Sequence, residues 1–121
     1  MNKIESFMDL DVFQKAYQLS LEIHRQSLEF PRVEQYGLAE QMRRASKSIC
    51  ANLAEGFGKR RGSVQEFKRY IQIAIGSADE MLVWMRYCMD LGYIGEETHA
   101  RWHAGYREVA RMLQGLSRSW S

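Results

Sequence analysis

Leu53-Ala54-Glu55-Gly56-Phe57-Gly58-Lys59-Arg60-Arg61-Gly62-Ser63-Val64-Gln65-Glu66 is the stretch that decides how this chain folds. Upstream of it, Leu38, Met42, Ala45, Ile49 and Leu53 recur at steps of four and three, the spacing of one apolar stripe on a helix running from about Tyr36 to Glu55. Gly56 and Gly58 tolerate positive φ, which is how many helices end, so they are expected to terminate it. Ser63 and Glu66 then read as a capping box. The Ser63 hydroxyl would accept from the Glu66 amide while the Glu66 side chain reaches back, and a new helix would start at Val64. Two helices joined by so few residues must lie antiparallel.

Working outward, the helix from Val64 should reach about Leu91, with Gly92 as terminator. Phe67, Ile71, Ala74, Ala78, Met81, Met85 and Cys88 make one stripe on it, and Tyr70, Ile73, Ser77, Trp84, Tyr87 and Leu91 make a second. A corner helix of a lone bundle needs one apolar stripe. The second is therefore assigned to burial against a neighbouring subunit, the alternative being aromatic rings that shield the first stripe with their rims in water. A further helix, from about Glu96 to Ser119, carries Trp102, Tyr106, Val109, Leu113, Leu116 and Trp120 at steps of four and three throughout. The first helix, from about Leu10 to Leu28, carries Val12, Ala16, Leu19 and Ile23, with Asp9 as its expected cap and Asp11 in its first turn. Pro31 disfavours helical geometry at Phe30 and ends it. The expected fold is all-α, an antiparallel up-down-up-down four-helix bundle forming a single domain over residues 1–121.

Composition agrees. The chain has 121 residues, 45% of them apolar and 26% charged, with a net charge of only +2, which excludes a disordered polyelectrolyte. The longest uncharged run, residues 70–78, falls far short of the roughly 20 residues that cross a bilayer. Met1-Asn2-Lys3-Ile4-Glu5-Ser6-Phe7 lacks the apolar centre of a signal peptide, so cytoplasmic placement is expected. Cys50 and Cys88 lie within periodic apolar segments and are expected to be reduced, buried and inert rather than disulfide-bonded.

Few residues suggest chemistry. His24 stands alone on the first helix. His99 and His103 are four apart and share a face, and Glu96-Glu97-Thr98-His99 reads as half of a di-iron Glu-x-x-His motif, but such sites need a second half that this chain lacks. The zinc-protease pattern fails because Ala100 stands where a glutamate is needed. No phosphate-binding loop, nucleophile elbow or dinucleotide fingerprint occurs. No catalytic residue, metal ligand or cofactor is assigned, and the expectation is a protein that is not an enzyme. A metal-dependent enzyme built on His99 and His103 is the weakest reading.

Charge is unevenly placed. Residues 40–70 hold Arg43, Arg44, Lys47, Lys59, Arg60, Arg61, Lys68 and Arg69 against Glu40, Glu55 and Glu66, while the rest of the chain carries three more acids than bases. These eight cations are the candidate nucleic-acid contacts, with Tyr36, Phe57 and Tyr70 as possible stacking partners for bases. The competing reading is a solvated face tied up in helical pairs such as Glu40–Arg43/Arg44, Glu55–Lys59 and Glu66–Arg69. Self-association would multiply the patch, and binding through released counterions grows with the number of phosphate contacts.

Five blocks then carry a resemblance: Phe7-Met8-Asp9-Leu10-Asp11-Val12-Phe13-Gln14-Lys15-Ala16; Phe30-Pro31 with Glu34-x-Tyr36-Gly37-Leu38-x-x-Gln41-x-Arg43-Arg44-Ala45; Ser48-Ile49-x-x-Asn52-Leu53-Ala54-Glu55-Gly56-Phe57-Gly58; Ile73-Ala74-x-Gly76-Ser77-x-x-Glu80; and Leu91-Gly92-Tyr93-Ile94. Together they resemble the four-helix-bundle proteins encoded in intervening sequences of bacterial 23S rRNA genes, relatives of the accessory protein of diversity-generating retroelements. The resemblance implies a ring-like homopentamer, cytosolic placement, and a suspected role in binding RNA, DNA or a nucleic-acid enzyme, with no established catalytic activity. Cys50 stands where many relatives have proline, which would remove a kink. Arg44, Ser48, Asn52 and Glu55 share a stripe, and the motif residues Asn52 and Glu55 are expected mainly to fix helix packing or subunit register. Gly76 is expected to permit a tight helix crossing. The alternative function is a purely structural or adaptor homo-oligomer with no nucleic-acid affinity.

Overall fold

Ser63 Oγ accepts from the Glu66 amide at 3.1 Å, and a helix begins at the next residue as the spacing predicts. The computed structural model describes residues 4–120, so Met1, Asn2 and Lys3, which open the stretch read for a signal peptide, lie outside the described residues. Four helices follow one another: α1 Asp11–Ser27, α2 Leu38–Lys59, α3 Val64–Asp90 and α4 Glu96–Ser119, with short 3-10 helices at Phe7–Asp9 and Arg32–Glu34.

Cross-helix contacts give the topology. Arg43 reaches Ser27 and Lys47 reaches His24, so residue numbers rise on α2 as they fall on α1. Arg44 with Glu80, Ser48 with Ser77 and Glu55 with Tyr70 run antiparallel along α2 and α3. Phe67 packs edge-on against Trp120 at 5.3 Å, joining the start of α3 to the end of α4. Glu22 takes the Trp102 indole, closing the ring of four between α1 and α4. Diagonal helices do not pack together among the described residues, and the arrangement is an antiparallel up-down-up-down bundle.

The apolar stripes meet in one core. Val12, Ala16 and Ile23 from α1, Met42, Ala45, Ile49 and Leu53 from α2, the whole first stripe of α3, and Trp102, Tyr106, Val109 and Leu113 from α4 are buried. A 3.6-residue period pointed at one axis explains why these residues and not their neighbours are dry.

Four local expectations are corrected. Gly56 and Gly58 do not end α2, which runs through them to Lys59. Gly56 is there because α3 crosses closely: a Cβ at Gly56 would lie 2.6 Å from the Tyr70 Cβ. Gly76, expected to serve that purpose, is exposed, and an added Cβ there meets nothing within 4 Å. Asp9 does not cap α1. Its carboxylate accepts from the Glu5 and Ser6 amides at 2.9 and 3.0 Å, closing a capping box on the preceding 3-10 helix, and these bonds hold its carboxyl below the usual range. The reciprocal half of the Ser63 box is also missing, because the Glu66 side chain accepts from Arg69 instead.

One buried polar atom has no partner among the described residues: the Tyr106 hydroxyl, on a side chain with no exposed surface. A phenol O–H left dry and unpaired costs about 1–3 kcal/mol. Tyr106→Phe removes it without changing the ring, so this variant is expected to be more stable by about 1 kcal/mol. A urea midpoint below that of the wild type would contradict the assignment.

Candidate nucleic-acid interface

The bundle divides the eight sequence-predicted cations between its two ends. Arg43, Arg44 and Lys47 sit on the first half of α2, whereas Lys59, Arg60, Arg61, Lys68 and Arg69 gather where α2 turns into α3. Their surroundings differ as much as their positions.

Arg43 is half-buried and turned inward. Its guanidinium donates to Ser27 Oγ at 2.8 Å, to the Gln35 carbonyl at 2.9 Å and to Gln35 Oε1 at 3.3 Å, and so ties the end of α1 and the following loop to α2. Arg44 is paired with Glu80 and also donates to Gln41. Lys47 Nζ stands 2.8 Å from His24 Nδ1. That ammonium foremost, then burial, Arg43 and Arg25, hold the His24 imidazole below its usual value of 6.5. The folded state therefore takes up the proton less readily than the unfolded chain. This stability is present above the unfolded value and lost as pH falls through the lowered folded one. Wild type is expected to lose about 0.5 kcal/mol more than His24→Gln between about pH 7.5 and 5.5, the half-exposed site being screened by water. Equal losses in thermal melts would contradict it.

At the other end, Arg60 lies 3.6 Å over the Phe57 ring and donates to the Phe57 carbonyl at 2.7 Å. Arg69 is held by Glu66 and lies 4.7 Å from the Tyr70 ring, whose hydroxyl donates to Glu55 at 2.7 Å. Of the helical pairs expected, Glu66–Arg69 forms, while Glu55 turns to Tyr70. Lys59, Arg61 and Lys68 remain, with no ion pair among the described residues; Lys59 and Arg61 are exposed and Lys68 half-buried.

The aromatic stacking partners are not brought together. Phe57 is only 4% exposed and is covered by Arg60, Tyr70 is flanked by Arg69 and bound to Glu55, and Tyr36 is 93% exposed at the opposite end, in the loop between α1 and α2. What this end offers is charge, not a base-stacking platform.

The family-motif residues are placed by the seam between α2 and α3. Asn52 donates to the Ser48 carbonyl at 2.8 Å and to Ser48 Oγ at 3.0 Å, and Ser77 Oγ donates to Ser48 Oγ at 3.0 Å. Two turns toward the basic end comes Glu55 with Tyr70; toward the other end Glu80 receives both Arg44 and the Trp84 indole, the latter at 2.9 Å. These are three polar rungs on one seam, and the Asn52 side chain supports the middle one from within α2.

The second stripe of α3 therefore splits. Ser77 is buried against α2, and Tyr70 and Trp84 are half-buried with partners inside the chain. Ile73, Tyr87 and Leu91 are exposed, and Val83, absent from the sequence-based set, joins them at 52%. The bare row is thus Ile73, Val83, Tyr87 and Leu91, one aromatic ring among three aliphatic side chains rather than a continuous aromatic flank.

The remaining chemistry is sparse. The His99 and His103 rings lie 5.7 Å apart, and no group of three His, Cys, Asp or Glu side chains suited to a metal occurs among the described residues. Cys50 is half-buried rather than buried, and burial pushes its thiol up to about 11; the Cys88 thiol, buried beside the Met42 sulfur, is pushed up to about 12. Both cysteines are free thiols and poor nucleophiles at neutral pH. No helix among the described residues is long and apolar enough to cross a membrane.

Comparisons with known proteins bear on this geometry. No curated protein matches the chain. Among solved structures, a protein of unknown function from the S23 ribosomal protein family of Bacteroides thetaiotaomicron is similar in fold, with a TM-score of 0.80 at 20% identity over 88% of this chain and 95% of that one. The family model described as 23S rRNA-intervening sequence protein matches residues 8–115, spanning all four helices and the seam just described, and the chain belongs to that family.

Proposed function

We propose that this protein is a non-enzymatic homo-oligomer, a pentamer as the family resemblance implies, that binds RNA or DNA through phosphate contacts at the end of the bundle where α2 turns into α3. The observation that carries the proposal is the trio Lys59, Arg61 and Lys68, the cations of the basic segment whose side chains make neither an ion pair nor a hydrogen bond among the described residues, whereas Arg43, Lys47 and Arg60 are held by neutral partners. Arg60 and Arg69 border them on the same turn. Phosphate contacts supply affinity without sequence information, which fits a surface whose aromatic rings are already covered.

Self-association rests on the row Ile73, Val83, Tyr87 and Leu91, each at least 40% exposed on the outward side of one helix. A second copy would shield this row and add its own cations to the surface, steepening salt dependence. An adaptor with no nucleic-acid affinity is the second reading, favoured by the same bare row.

Filter binding of a labelled RNA at rising salt tests the proposal. Lys59→Gln with Arg61→Gln is expected to lower the slope of log affinity against log salt by about 1–2 for each subunit in contact. No binding by the wild type at low salt would refute the nucleic-acid function. Light scattering that returns the mass of one subunit would refute the oligomer independently.

A further inference from the structure

The cations of α4 escape a count by segment, because Glu96 and Glu97 in its first turn offset them. By face the picture changes. From Thr98 to Arg118 the helix holds Arg101, Arg107, Arg111 and Arg118 against the single acid Glu108. Arg101 is drawn to Glu22 of α1, and Arg111 pairs with Glu108 yet keeps 78% of its side chain exposed. Arg107 and Arg118 are exposed and form no ion pair among the described residues. Arg107, Arg111 and Arg118 are separated by four and seven residues, so they share one side of the helix over about 17 Å.

We infer that the outward face of α4 is a second polyanion-binding surface, which takes a nucleic-acid backbone along the helix axis through Arg107, Arg111 and Arg118. The inference rests on the reading of the protein as a nucleic-acid binder and adds a surface to it. Arg118 lies in the last turn of α4, and Trp120 beyond it packs on Phe67 at the start of α3, so this face begins at the end of the bundle that carries Lys59, Arg61 and Lys68. A strand of phosphates leaving the turn can continue along α4.

The neutral residues of the face decide between a polyanion and a protein. Binding energy at protein interfaces is concentrated in a few anchors, chiefly Trp, Tyr and Arg, buried in well-packed apolar surroundings. The exposed neutral positions of α4 include Ala100, Ala104, Gln114 and Ser119, and no large apolar side chain of α4 is exposed. The outward face of α3 is the opposite case, with Ile73, Val83 and Tyr87 all bare. Two faces of one bundle thus differ in kind: α3 carries anchors, and α4 carries charge on a smooth ground. Guanidinium groups without anchors suit phosphate oxygens, which they can grip in pairs.

Three triple variants separate the possibilities: Arg107→Gln/Arg111→Gln/Arg118→Gln on α4, Lys59→Gln/Arg61→Gln/Lys68→Gln at the turn, and Arg25→Gln/Arg32→Gln/Arg86→Gln as a charge-matched control elsewhere. Glutamine keeps helix propensity, and far-UV circular dichroism with urea midpoints confirms each fold. Fluorescence anisotropy of a labelled duplex of about 20 base pairs is then titrated with salt. The α4 triple is expected to weaken binding at least tenfold and to lower the salt slope by about 2–3, with the control changing little. Loss in the turn triple alone would overturn the α4 surface and leave the proposed function standing, and loss in the α4 triple alone would support this surface against the turn. Equal loss in the control would reduce the effect to net charge and overturn the inference, as would equal affinity of the wild type for polyglutamate of matched charge, which would assign the face to an acidic protein. No binding by the wild type would overturn both.

Discussion

Trp102→Ala is expected to cost about 4 kcal/mol. The side chain has no exposed surface, and its indole N–H donates to Glu22 Oε2 at 2.6 Å. Truncation therefore opens a cavity between α1 and α4 and takes a charge-assisted hydrogen bond from Glu22 at once. Trp102→Phe separates the two, since it keeps most of the ring volume while losing the donor, and should cost about half as much. Urea unfolding gives both numbers. A loss below about 1 kcal/mol for the alanine variant would mean that α4 does not close the bundle as described.

Gly56→Ala should cost about 2–3 kcal/mol even though alanine is the better helix former. A methyl group at Gly56 would lie 2.6 Å from the Tyr70 Cβ and 3.3 Å from Phe67 Cδ1. A Cβ is fixed to its backbone and cannot swing aside, so the two helices must part, straining the Glu55–Tyr70 contact beside them. Gly76→Ala is the matched control, because nothing lies within 4 Å of the added atom. In a single chain it should gain about 0.5–1 kcal/mol from helix propensity. A gain at both positions would refute the close crossing at Gly56, and a loss at Gly76 would show that a neighbouring backbone covers it in the assembled protein.

The core was legible because burial repeats every 3.6 residues and sequence spacing records that period directly. Phe67 through Cys88 on α3 and Trp102 through Leu113 on α4 were assigned to the interior from spacing alone and are there. The end of α2 was misread because glycine serves two purposes: at Gly56 the absence of a Cβ admits Tyr70, and no residue near Gly56 in sequence announces that neighbour. Arg43 illustrates the limit for the candidate site. Its charge belongs to the basic segment, but its direction depends on Ser27 and Gln35, which come from the preceding helix and loop. The face of α4 was hidden for a different reason, since counting charge along a segment averages over sides that the helix keeps apart. Contacts such as Tyr93 with Glu34 and Trp102 with Glu22, separated by 59 and 80 residues, have no local signal at all.

The three rungs between α2 and α3 have a mechanical consequence. Sliding one rod past the other by a single turn means a travel of about 5.4 Å. At that offset Arg44, Ser48 and Glu55 would each lose the mate they hold, and Gly56 would no longer face the ring stem it was shaped to admit. The pair is thus keyed like a bolt in its slot, so that a slip of one turn breaks all three rungs together.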